Sequence, residues 1–161
     1  MAVRLEPDEA WRVVAAAHTG IFTTLRRDAT PIALPVWFVA LDRKIFVAAP
    51  AATKKVARIA NNPRASFLVE HGKRWAELTA VHFTGVCEIV SDQALIDRID
   101  HSLEGKYGGF RAAPERLPRA TATRYATRVF ICFTPDDRFI SWDNRRLEVK
   151  PPEERSSTWR E

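Results

Sequence analysis

The 161-residue chain holds only two cysteines, one methionine and six glycines, and the scarcity of cysteine is the most restrictive. Cys87 and Cys132 both lie inside apolar stretches and are too few for a disulfide framework or a metal site of close ligand spacing. Two buried thiols suit a reducing compartment, so a cytoplasmic protein is expected. No run approaches the ~20 apolar residues that a membrane-spanning helix needs. Over residues 1–20, Glu6, Asp8, Glu9 and Arg12 interrupt the apolar positions, and no export signal is expected. Also missing are a glycine-rich dinucleotide fingerprint, a P-loop and a Gly-x-Ser-x-Gly elbow. His18, His71, His82 and His101 have no metal-site spacing, so no metal is expected.

What remains is an ordinary globular composition, 46% hydrophobic, with a net charge of +5. A basic balance suggests an anionic partner: nucleic acid, a membrane surface or a phosphorylated small molecule. Aromatics such as Phe46, Phe67 and Phe130 sit in apolar runs rather than between Lys and Arg, which argues against single-stranded nucleic acid. Neither nucleic acid nor a membrane is expected as a partner; a small-molecule substrate is.

Hydrophobic periodicity divides the chain into short elements. Residues 7–18 read as a helix, opened by Pro7 with Asp8 and Glu9 and closed at Gly20, its apolar face made by Trp11, Val14, Ala15 and His18. Three strands follow as a meander: Ile21–Leu25, Ile32–Val39 and Lys44–Ala49. Pro35 places the second at an edge or bulge. Residues 53–61 form a helix with Thr53 as N-cap and Asn62-Pro63 as its stop. Ala65, Phe67 and Val69 alternate as a fourth strand, and Ala76–Val90 is a fifth that bends at Gly85. Residues 92–104 form a helix, 105–123 a glycine- and proline-rich loop. That loop suits a lid over an anionic ligand, through Lys106, Arg111, Arg116 and Arg119. Thr127–Thr134 and Arg138–Trp142 complete the pattern as a hairpin. The expected fold is mostly β: one closed antiparallel barrel with flanking helices over residues 1–147, then a charged, flexible tail over 148–161.

The most informative segment is Thr53-Lys54-Lys55-Val56-Ala57-Arg58. Cations in a helix's first turn oppose its dipole at a cost of a few tenths to ~1 kcal/mol. The same place offers free backbone N–H groups, so a hydroxyl and three basic side chains there make an anion site. A solvated helix start whose basic residues serve no purpose is the alternative.

These pieces resemble the pyridoxamine-phosphate-oxidase-like flavin-binding split barrels, which include deazaflavin-dependent reductases. The similar parts are Ile21-Phe22-Thr23-Thr24-Leu25, Pro31 through Phe38, Thr53-x-Lys55-x-x-x-Ile59 with Asn62-Pro63-Arg64-Ala65-Ser66, and Thr84-Gly85, spanning roughly residues 10–142 in order. The resemblance implies an FMN-binding split barrel, a homodimer with the cofactor at its interface, and a flavin- or deazaflavin-dependent oxidoreductase acting on a small organic substrate. The cofactor would be FMN, or alternatively coenzyme F-420, a deazaflavin. A flavin- or haem-binding carrier without turnover is the alternative function. Carried over by position, Lys55 holds the cofactor phosphate with Thr53, Lys54 and Arg58 beside it. Pro35, Val36 and Trp37 would run along the ring edge. Trp75, His82 and Trp142 would cover the ring from the partner chain; read without the resemblance, they are a strand-start anchor, a satisfied strand histidine and core. Ser141-Trp142-Asp143-Asn144-Arg145-Arg146 lacks the histidine that follows Arg in vitamin B6 oxidases, and Thr79-Ala80-Val81-His82-Phe83 lacks their basic-plus-Gln pattern, so oxidation of pyridoxamine phosphate is not expected.

Overall fold

A computed structural model describes residues 3–112 and 114–147; the expected charged tail, 148–161, lies outside them. The first helix, α1 (Pro7–Ala16), starts where Glu9 accepts the Glu6 N–H at 2.9 Å. It ends at Ala17 rather than at Gly20. Gly20 instead opens β1 (Gly20–Leu25), because the Phe67 ring packs where its side chain would be: a Cβ there would sit 2.2 Å from the ring.

Seven antiparallel strands follow in one sheet. They are β1, β2 (Pro31–Val36), β3 (Val39–Leu41), β4 (Lys44–Pro50), β5 (Arg64–His71), β6 (Thr79–Ile89) and β7 (Arg128–Asp143), in the order β2-β1-β5-β6-β7-β4-β3. The apolar run Ile32–Val39 is therefore two strands, not one. It breaks at Trp37-Phe38, and its halves form the opposite edges of the sheet. Val36 and Val39 are three residues apart, so the two edges approach within about 10 Å and the sheet must curl on itself. Among the described residues no ladder joins the edges, so the barrel is split rather than closed. Pro35 sits in the edge strand β2 and pairs only with Ile21, as its missing N–H requires.

The expected C-terminal hairpin is also absent. Residues 128–143 form one long bent strand, pairing with β4 through its first half and with β6 along most of its length. Pro135-Asp136-Asp137 makes a bulge instead of a turn: the register passes from Phe83↔Phe139 to Gly85↔Pro135, leaving Thr84 opposite the extra residues. Gly85 is required there, since a Cβ would lie 2.3 Å from the Thr134 carbonyl oxygen.

Helices close the barrel and cover part of its outside. Trp11 of α1 stacks on Phe83 at 5.0 Å, and Val14 joins Phe22, Phe38, Phe67 and Phe133 in the interior. Burying one such phenylalanine contributes about 1.5–3 kcal/mol. The second helix, α2 (Lys54–Asn61), lies against β1. On the outer face of β3, β4 and β7, α3 (Gln93–Tyr107) buries Ile99, Leu103 and Tyr107 against Phe46, Phe130 and Cys132. The helix thus runs past the point where a loop was expected. Gly105 faces open space and costs only about 1 kcal/mol of helix propensity, less than burial of Tyr107 contributes. Beyond it come 3-10 turns at Gly108–Phe110 and Pro114–Arg116, then α4 (Arg119–Ala126), where an irregular loop had been expected.

Candidate functional site

The chain leaves β4 at Pro50 and turns into α2 within three residues: the Ala51 N–H donates to Thr127 O at 3.0 Å and the Thr53 N–H to Pro50 O at 3.1 Å. Thr53 takes the extended N-cap conformation, yet its hydroxyl caps nothing. Its Oγ1 is buried and has no hydrogen-bond partner. A buried hydroxyl left unpaired costs about 1–3 kcal/mol, so this atom is poised for a partner from outside the chain.

Two cations follow it on the same helix. Lys55, one residue into the helix, is half-buried, with Nζ 5.9 Å from the centre of the Phe22 ring. Its burial, and then the neighbouring Arg58 guanidinium, pull its pKa below the usual lysine value. Arg58 donates from Nε to the buried Thr24 Oγ1 at 2.8 Å, which fixes the guanidinium against the end of β1. Among the described residues, no carboxylate forms an ion pair with Lys54, Lys55 or Arg58. Lys54 is exposed. The residues present therefore fit a phosphate: an orphaned hydroxyl, two partly desolvated cations and the free N–H groups of a helix start.

The other expected site residues lie elsewhere on the barrel. The strand register aligns Pro35, Ile21, Leu68, His82 and Ile140 in one row across the outer face. Pro35 and His82 are three strand spacings apart, about 14 Å. Val36 points the other way and is buried. Trp37 occupies the crossover, 37% exposed and stacked on Tyr107 at 4.6 Å with the rings 6° from parallel. Trp75 is 64% exposed in a 3-10 turn held by Asn144, whose Nδ2 donates to Trp75 O at 2.7 Å. Trp142 is half-buried opposite Ala80. Within one chain Lys55 and Arg58 lie near each other on the helix that Thr53 opens, whereas Trp75, His82 and Trp142 stand on other elements.

Three features escaped the sequence reading. Thr24, which anchors Arg58, looks like any inward strand residue. The barrel's split is held by α3: Lys106 Nζ donates to Phe38 O at 3.1 Å, and the Tyr107 hydroxyl accepts the Phe38 N–H at 3.0 Å. That hydroxyl lies 2.8 Å from both His18 O and Phe38 O, donating its one proton to either. Burial in this setting lowers the Lys106 pKa to about 8. The spacing of Ile99, Leu103 and Tyr107, four residues each, was the available signal. The third feature is a cleft of about 560 Å³ between the end of α1 and the row containing Pro35.

Known proteins with this fold put the site in context. In solved structures the chain resembles a conserved hypothetical protein from Mycobacterium tuberculosis, at 26% identity over 92% of this chain and 91% of that one, TM-score 0.78. An FAD-binding protein from Mesorhizobium loti matches at 19% identity over 88% and 96%, TM-score 0.66. An F420 reductase matches at 22% identity over 84% and 98%, TM-score 0.63. No curated protein matches the chain in sequence. The family described as pyridoxamine 5'-phosphate oxidase matches residues 7–139, a span that runs from α1 through the bulge of β7. That match, on a sheet split in the same way as the resemblance implied, makes the chain a member of the pyridoxamine 5'-phosphate oxidase family.

Proposed function

We propose that the chain is an oxidoreductase that holds a phosphate-bearing flavin or deazaflavin at the start of α2 and works as a homodimer. The observation that carries this reading is the buried, unpartnered Thr53 hydroxyl at the start of the helix that bears Lys55 and Arg58. A phosphate oxygen would satisfy the hydroxyl and neutralise cations that no carboxylate pairs among the described residues. FMN is the first cofactor to test and coenzyme F-420 the second. When bound, such a cofactor supplies hydride transfer at its ring, while protein residues bind and orient it.

The outer face supports the dimer. Ala33, Thr23, Ser66 and Thr84 form a row of small residues next to the row of Pro35, Ile21, Leu68, His82 and Ile140, and Ile140 is 61% exposed. A second copy packed there would bury a flat sheet face. It would also bring its own His82, Trp75 and Trp142 toward the ring edge marked by Pro35, Val36 and Trp37; inside one chain His82 lies about 14 Å from Pro35.

The test is titration of the cofactor-free protein with FMN and, separately, with coenzyme F-420 and haemin, read by fluorescence and absorbance. Saturable flavin or deazaflavin binding is expected, weakened about ten- to a hundredfold in Lys55→Met, since charge-assisted bonds contribute roughly 1.5–3 kcal/mol each. A haem band without flavin binding would favour the carrier reading. Unchanged affinity in Lys55→Met would move the phosphate site elsewhere, and sedimentation as a monomer at micromolar concentration would defeat the dimer.

A further inference from the structure

Lys106, in the last turn of α3, sits where few lysines do. Its Nζ stands 4.1 Å from the centre of the Phe38 ring and 5.3 Å from that of Tyr107, and it donates to Phe38 O at 3.1 Å. Among the described residues no carboxylate forms an ion pair with it. Glu104, two residues before it, pairs with Arg111 at 2.9 Å. The side chain is half-buried, and the loss of hydration brings its pKa down to about 8. The ammonium form is held by two ring faces and a carbonyl. The neutral amine loses the pull of the rings and presents a lone pair.

The amine can also be approached. Gly105 precedes it and Gly108 and Gly109 follow Tyr107, and a Cβ at Gly105 or Gly109 would meet no atom within 4 Å. Through its contacts with Val39, Phe46, Phe130 and Cys132, α3 covers β3, β4 and the first half of β7, clear of the sheet rows where a second copy is proposed to pack. A lysine that is desolvated, unpaired and open to small electrophiles has the setting in which an amine becomes a nucleophile near neutral pH.

We propose that Lys106 is an acylation site, its amine taking the acyl group of a small thioester and thereby releasing the crossover between the two edges of the sheet. The nitrogen lone pair adds to the thioester carbonyl carbon, the C–S bond breaks with its electrons leaving on sulfur, and the surplus proton on nitrogen passes to the thiolate. The products are an amide and a thiol, with no change of oxidation state. The amide carries no charge, so its attraction to the Phe38 and Tyr107 rings is lost. The added acyl group also needs room where Nζ now meets the Phe38 carbonyl. The donor that ties α3 to the crossover is thereby withdrawn, and Phe38 is left to the Tyr107 hydroxyl alone. The step needs no flavin.

The experiment treats the full chain with N,S-diacetylcysteamine, an uncharged acetyl thioester, and follows each lysine by peptide mass spectrometry across a range of pH. Lys106 is expected to react about three- to tenfold faster than the exposed Lys54 and Lys73 at about pH 7.5, because its gain in neutral amine exceeds the loss of nucleophilicity that accompanies a lower pKa. Its rate should level off above about pH 8, where a lysine of ordinary pKa still gains about tenfold per pH unit. In the acetylated protein and in Lys106→Gln the Phe38 amide hydrogen should exchange about three- to tenfold faster than in wild type, read by NMR, while Lys106→Arg, which keeps a charged donor, should not change it. Lys106 reacting no faster than Lys54 and Lys73, a rate still climbing about tenfold per unit near pH 9, or a Phe38 amide unaffected by acetylation would each overturn the proposal. None of these readouts needs a bound cofactor, so failure here and failure of the flavin titration are separate results.

Discussion

Replacing Thr53 by valine should do two opposite things at once. The residue is an N-cap in name only: φ is −86° and ψ 151°, which a β-branched residue adopts freely, and the hydroxyl makes no capping bond. Removing it leaves every existing hydrogen bond in place and substitutes a methyl of similar size for a buried, unpaired oxygen. The cofactor-free protein should gain about 1–2 kcal/mol, the lower part of the cost of an unsatisfied buried group. For a chain of this length that raises the melting temperature by roughly 2–8 °C. Binding should move the other way, because a hydrogen bond to a charged phosphate contributes about 1.5–3 kcal/mol and its loss weakens affinity about ten- to a hundredfold. Thermal unfolding by circular dichroism, with and without inorganic phosphate, reads the first effect, and fluorescence titration with FMN reads the second. Thr53→Ser keeps the hydroxyl and should retain affinity without the gain in stability. A Thr53→Val protein that melts lower than wild type, with cofactor affinity unchanged, would show that the hydroxyl is a structural cap and that phosphate binds elsewhere.

Other expectations follow from the packing. Gly105 lies inside α3 with open space where a Cβ would go, so Gly105→Ala should stabilise the protein by about 0.5–1 kcal/mol, measured by urea denaturation. Tyr107→Phe keeps the ring stacked on Trp37 but removes the hydroxyl that bridges Phe38 and His18; a loss of about 1–3 kcal/mol and faster quenching of Trp37 fluorescence by acrylamide are expected, and an unchanged quenching rate would mean the split is held by other contacts. Asp143, buried beside Arg145, has its pKa held down to about 2, first by the Arg145 hydrogen bond. A depressed carboxylate stabilises the fold above its unfolded pKa near 4 and loses that contribution as pH falls toward 2. Because Arg145 itself is largely exposed, the contribution is about 1–2 kcal/mol. Asp143→Asn should therefore lower stability at neutral pH and flatten its fall between about pH 4 and 2, and an equally steep acid limb in the variant would rule out Asp143 as its source.

Much of the architecture is decided locally and was legible along the chain. The alternation of Phe22 and Thr24, of Ala65, Phe67 and Val69, and of Val81 and Phe83 marks strands whose buried face is set by a period of two. Pro35 forces an edge, Gly85 a bulge, and Asn62-Pro63 a helix end, each because one residue's covalent geometry forbids the alternative. The basic start of α2 also stands out, since cations at that helix position oppose the dipole and ask for an anion.

What only the tertiary structure decided are the features that depend on distant residues. Ile32–Val39 looks like one strand because both halves are apolar. It divides because Val36 pairs next to Gly20 and Val39 next to Phe46, at opposite edges of a sheet that has curled. Pro135-Asp136-Asp137 has turn composition, yet the strand continues through it as a bulge opposite Thr84, with Asp136 held by Arg64 and Thr84 across the strands. Gly105 suggests a loop, but α3 continues to Tyr107 because burial of Leu103 and Tyr107 outweighs its propensity cost. Sequence alone names Thr53 as a cap. That its hydroxyl is buried and unpaired, beside a lysine desolvated against Phe22, is a fact about how α2 settles on β1.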